Sequence, residues 1–164
     1  MDIHASGDLK GILDTLAHMK ETEQVVAEFY ALCADTWPAD LQFWTELYKE
    51  ELEHEKNIAA MYKIVSDKPE HFEKGRPFNI FAVQTMITGV RNDIEKLKKG
   101  GIREDKAIMI ARDIEQSFIE FRYSEIVKTA DIEYSTLVQK ILKETAQHKT
   151  KIDTKIKGQP LRPE

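Results

Sequence analysis

This chain of 164 residues has little of what punctuates or cross-links a fold. Its single cysteine, Cys33, excludes an intrachain disulfide and any Cys-x-x-Cys electron-transfer or zinc knuckle. Only 7 glycines and 5 prolines are present, and they cluster outside the periodic segments. That argues against a sheet protein and for a few long helices. The net charge of -5 provides no basic surface for nucleic acid. No apolar run approaches the roughly 18 residues that a membrane span needs. Met1 to Leu9 has no basic segment leading into an apolar one, so no signal peptide is expected and a cytoplasmic location follows.

What the chain does have is apolar residues recurring every three or four positions. The spacing predicts a first helix from about Asp8 to Ala34, capped by Ser6 or Asp8. A second helix follows the break at Pro38 and runs to about Val65, with Leu41, Trp44, Leu47, Ile58 and Met61-Tyr62 turned inward. Residues 66–78 hold Pro69, Gly75 and Pro77 and read as an irregular connection. A shorter helix over 79–99, with Phe81, Met86-Ile87, Val90, Ile94 and Leu97 on one face, ends at Gly100-Gly101. Two more helices are expected over 103–128 and 131–156. The domain then spans 1–157, and 158–164 reads as a disordered tail. Two antiparallel helical hairpins joined by a long crossover carrying an extra short helix have the connectivity of an all-α, ferritin-like four-helix bundle.

The chain also repeats itself. Glu23-Gln24 followed by Glu28-Phe29, then Lys49-Glu50 with His54 and Ile58, returns as Glu115-Gln116, Glu120-Phe121, then Lys143-Glu144 with His148 and Ile152. The offset is 92 residues for the first element and 94 for the second. Glu51 and His54, three apart on a helix of about 3.6 residues per turn, share one face and can share a cation. Bundles that bind two metals take one Glu from each of two helices and Glu-x-x-His from each of the other two. The candidate metal set here is Glu23, Glu51, His54, Glu115 and His148. One position breaks the repeat: Thr145 stands three before His148, where a glutamate is needed.

These motifs resemble the rubrerythrin-like members of the ferritin-like superfamily, over roughly 8–156. Glu23 with Tyr30 seven residues on resembles the first helix signature, and Glu50-Glu51-Leu52-Glu53-His54 the second. Ile114-Glu115-Gln116-Ser117 through Glu120-Phe121 resembles the third. The resemblance implies a non-haem diiron centre that reacts with peroxide or dioxygen or oxidises ferrous iron. It implies Glu23 and Glu115 as terminal ligands, Glu51 as a bridge, and His54 and His148 holding one iron each. With one cysteine there is no rubredoxin domain, so electrons are expected from a separate donor protein. A homodimer through an outer face is in keeping with such bundles.

The departures define a competing reading. Thr145 cannot supply a second bridge, and Glu144 beside it points about 100° away on a regular helix. Only a local π-bulge would swing it inward. Phe118 stands where rubrerythrins often carry a further carboxylate. The alternative is a degenerate bundle with one or no metal, acting as a structural or interaction module. Cys33 reads as a small core residue, Tyr30 as a core tyrosine whose hydroxyl reaches a polar group, and Trp37 and Trp44 as packing at the bundle end.

Overall fold

Each long helix is set by its apolar stripe and by local signals at its ends. The computed structural model describes residues 3–158. Helix α1 (Ile3–Thr36) is followed by a single 3-10 turn with Pro38 in its first position, where the missing N–H costs nothing. Helix α2 (Leu41–Asp67) returns along α1. Helix α3 (Ile80–Lys98) is capped by Asn79, whose side chain accepts the Ala82 N–H at 3.1 Å, and Lys96 and Lys98 lie in its last turn, where cations favour the dipole. Gly100 ends it with a φ of 70°, the left-handed conformation that glycine adopts without cost. Helix α4 (Glu104–Phe121) carries Glu104 and Asp105 in its first turn. Helix α5 (Ile132–Lys157) is capped by Asp131, which accepts the Tyr134 N–H at 2.9 Å.

The described chain is mostly helical, its five helices packed as antiparallel pairs. Helix α1 packs along α2, α4 along α5, α2 meets α5, and α3 lies against α1. One cluster of buried apolar side chains runs through all five helices, with Phe29, Tyr30, Trp44, Leu47, Ile108 and Ile152 among its fully buried members.

Four features differ from the sequence expectations. The first helix starts at Ile3, so positions 6 and 8 lie inside it rather than at its N-terminus. Leu41 is 52% and Phe81 81% exposed, because each sits at the start of its helix, where the stripe has not yet met a neighbour. Tyr62 is also exposed. The fourth helix stops at Phe121 rather than 128, because Arg122 adopts a left-handed conformation (φ 53°, ψ 54°) and turns the chain into a 3-10 turn over Tyr123–Glu125. The freed segment becomes strand β2 (Val127–Thr129), antiparallel to strand β1 (Phe72–Lys74) in what the sequence offered as an irregular connection. Three-residue strands are too short to show an alternating pattern. The proposed tail lies almost wholly outside the described residues.

Gly75 extends the strand pair: its N–H donates to the Ile126 carbonyl at 2.8 Å and that of Arg76 to the Glu125 carbonyl at 2.7 Å. A Cβ at Gly75 would stand 2.2 Å from the Glu125 carbonyl oxygen, a backbone atom that cannot swing aside. Gly75→Ala is therefore expected to lose about 1–3 kcal/mol. Denaturant unfolding measures it, and an unchanged midpoint would mean the strand pair moves apart freely.

Candidate metal centre

All five residues that the sequence singled out meet in the core. Glu23 comes from α1, Glu51 and His54 from α2, Glu115 from α4 and His148 from α5. The three carboxylates are 0% exposed and the two imidazoles 1%. Glu51 lies between the histidines: Oε2 is 3.2 Å from His54 Nδ1, and Oε1 is 3.0 Å from His148 Nδ1. Glu23 Oε2 flanks His54 Nδ1 at 3.9 Å, and Glu115 Oε2 flanks His148 Nδ1 at 3.6 Å. The two rings stack with centroids 5.2 Å apart. The donor atoms of Glu51, His54 and His148 lie within 4.8 Å of one another, and this buried group could hold a metal ion.

The outer nitrogens are also engaged, and across the repeat. His54 Nε2 bonds Glu144 Oε2 at 3.0 Å, and His148 Nε2 pairs with Glu50 Oε2. Each glutamate precedes the histidine of its own helix by four residues and reaches the histidine of the other. A carboxylate on the outer N–H of a metal-binding histidine fixes its tautomer and leaves the inner nitrogen free to donate electrons. Helix α5 is α-helical throughout, so Glu144 does not swing into the centre; it serves from the rim, 27% exposed. The signal was in the repeat, which placed a glutamate four before both histidines.

Two tyrosines complete the surroundings. Tyr30 donates its O–H to Glu115 Oε1 at 2.7 Å. The Tyr123 hydroxyl is buried without a hydrogen-bond partner among the described residues. Burial and then the charges of Glu23, Glu51 and Glu115 push its phenol well up. The sequence reading missed Tyr123 because it placed the residue inside a helix that in fact ends two residues earlier. Thr145 is buried at 4% exposure, and Phe118 packs against Tyr123 with ring centroids 6.3 Å apart. Cys33 is buried, and desolvation followed by the Glu104 charge pushes its thiol up, away from reactivity.

The metal-free cluster is electrostatically unusual. Burial works against the charged form of His54, but the neighbouring carboxylates of Glu23 and Glu51 outweigh that and push it up to about 11. The same opposition, with Glu115, Glu50 and Glu51 as partners, pushes His148 up to about 12. Burial tends to raise Glu51 as well, yet His148, His54 and Glu23 hold it below the usual carboxylate range. Glu23 and Glu115 are raised, by burial and then by the Glu51 charge. Protons on the imidazoles thus supply positive charge that the carboxylates require. Both oxygens of Glu23, Glu51 Oε1, Glu115 Oε2 and His148 Nδ1 nevertheless have no aligned hydrogen-bond partner among the described residues. Orphaned inward polar atoms of this kind are costly in a dry site unless something binds them.

A pH prediction follows. Histidines and carboxylates whose folded values are raised stabilise the fold fully below their unfolded values, and that stability is lost as pH rises through the folded ones. The metal-free protein should therefore lose stability as pH climbs from the ordinary histidine value of 6.5 towards about 11. Thermal unfolding with a chelator present checks this, and a curve rising with pH over that window would contradict it.

Over the described residues, fold and site together define a mostly helical protein of five helices with a buried glutamate–histidine group that could hold a metal ion. Comparison of the chain with protein-family models, with curated proteins and with solved structures finds no match. Among the described residues no helix is long and apolar enough to cross a membrane.

Proposed function

We propose that this is a ferritin-like, rubrerythrin-like metal protein whose centre holds iron for oxidoreductase chemistry with peroxide, dioxygen or ferrous iron. The observation that carries the reading is Glu51, with one oxygen towards the inward nitrogen of each histidine. Such a carboxylate suits two cations side by side, one with Glu23 and His54 and the other with Glu115 and His148. Two hairpins, α1–α2 and α4–α5, with α3 in the crossover support the bundle assignment. The donor set of oxygens and imidazole nitrogens, without thiolate, suits iron or manganese.

Bound iron would supply one-electron redox chemistry towards a small oxidant. The chain's own part is to exclude water, to orient the imidazoles through Glu50 and Glu144, and to hold the Tyr30 proton against Glu115 Oε1. Loading must displace the imidazole protons, so binding strengthens as pH rises, opposite to the metal-free stability trend. Electrons would come from a separate donor protein.

Thr145 favours a second reading, a half-site with one metal at Glu23, Glu51 and His54, or a bundle without turnover. Metal analysis separates them, on protein purified anaerobically, loaded with ferrous iron and then treated with peroxide. Two irons per chain that turn ferric on peroxide addition are expected. One metal without oxidation would leave the half-site, and none above background in folded protein would overturn the iron reading.

A further inference from the structure

The centre is sealed: its three glutamates and two histidines are at most 1% exposed. A cation must therefore pass through protein to reach it. Among the described residues, the hydrogen-bond and ion-pair partners of these five that reach solvent are Glu50 and Glu144, both half-buried and both on the seam between α2 and α5. The two positions are not alike. Glu50, against His148 Nε2, is also tied to Lys151 at 3.8 Å, and Lys151 holds Glu46 at 3.2 Å. That ammonium repels an approaching cation. Glu144 has no ion pair among the described residues other than the one with His54 Nε2, at 3.0 Å. A single imidazole then spans from Glu144 at the rim to the carboxylates inside. His54 Nδ1 stands 3.2 Å from Glu51 Oε2 and 3.9 Å from Glu23 Oε2. Neither oxygen of Glu23 has an aligned hydrogen-bond partner among the described residues.

We propose that divalent cations enter the centre at Glu144 and His54, and that Lys151 closes the matching position at Glu50 and His148. The proposal rests on the metal-binding reading above. The Glu144 carboxylate draws a hydrated cation to the seam, as an opposite charge at the mouth of a site raises the encounter rate. His54, turning about its Cα–Cβ bond, opens the way from Glu144 to the oxygens of Glu23 and Glu51. Two carboxylates there hold a hard cation more firmly than the one at the rim, which gives the transfer its direction. His54 then returns, and Glu144 takes its orienting place on the outer nitrogen. On the other side Glu50 must first leave Lys151, so that position stays closed.

The test follows zinc loading of metal-free, full-length protein by stopped flow with a fluorescent zinc indicator, and zinc release into excess chelator. Glu144→Gln is expected to load at least about tenfold more slowly and to lose most of the slowing that added salt causes in the parent. Glu144→Asp, which keeps the charge, should restore most of the rate. Glu50→Gln should load within about twofold of the parent, its lower affinity appearing as faster release. Lys151→Met should load at least about threefold faster. A Glu144 that only orients His54 would change release and leave loading untouched, and that result in folded Glu144→Gln overturns the route. Equal slowing in Glu50→Gln overturns it too, and Lys151→Met loading no faster than the parent removes the closure and with it the one-sided entry. Circular dichroism controls for folding, and all three positions are at least partly exposed. Iron content, measured separately, decides the iron reading. Zinc loading through Glu144 without iron uptake would leave the route standing alone, and iron uptake with loading indifferent to Glu144 would leave the reading alone. No zinc uptake by the folded parent overturns the route outright.

Discussion

Glu51→Gln should empty both halves of the centre. The substitution keeps size and hydrogen-bonding atoms but removes the one charge that faces both inward imidazole nitrogens, at 3.2 Å and 3.0 Å. Loss of an outer carboxylate that only orients a ligand costs about 10–100-fold in metal affinity. Glu51 lies inside that layer, so its loss should exceed about 100-fold, whereas Glu50→Gln should stay within that range. The contrast is informative because the two glutamates are neighbours in sequence, yet Glu51 meets the inner nitrogens of both imidazoles and Glu50 the outer nitrogen of His148 alone. Isothermal titration with ferrous iron or zinc measures both. Equal losses would mean that Glu51 serves from the rim like Glu50, and the two-cation geometry would fall. Without metal, Glu51→Gln should also unfold at lower temperature, since two imidazoles held charged by that carboxylate lose their shared partner.

Why was so much of this centre legible beforehand? The repeat of Glu helix followed by His helix is a statement about faces, and helical faces follow from spacing alone. Once Glu51 and His54 share a face and the hairpin is antiparallel, Glu23 has few other places to go. What spacing could not show was anything that depended on a single backbone torsion. Arg122 in a left-handed conformation cuts the fourth helix short, frees residues 127–129 to pair with 72–74, and turns the Tyr123 hydroxyl inward. No periodic pattern encodes that step, and arginine is not a residue that announces it. Exposure of Phe81 was hidden for a related reason: periodicity gives the direction of a stripe but not where a neighbouring helix begins to cover it.

Thr145→Glu should reverse the sign of its effect between the metal-free and the metal-loaded protein. Thr145 is buried three residues before His148, where the repeat places a glutamate in the other half. A fourth carboxylate there would join Glu23, Glu51 and Glu115, three groups already short of aligned partners among the described residues. Uncompensated buried charge costs about 3–5 kcal/mol. At about 2–4 °C per kcal/mol for a chain of this size, the metal-free variant should melt roughly 10 °C below the parent. With divalent iron or manganese present, the same carboxylate would supply the missing anionic ligand, so the variant should bind two ions with similar affinity and recover the lost temperature. The parent, whose second half has only Glu115, His148 and a share of Glu51, should bind its second ion more weakly. Thr145→Gln separates size from charge: it adds the same volume, and should lower the melting temperature without gaining metal. If Thr145→Glu melts lower by the same amount with and without metal, the position does not face the cations. The second half of the centre would then be a buried polar network and the protein a one-metal bundle.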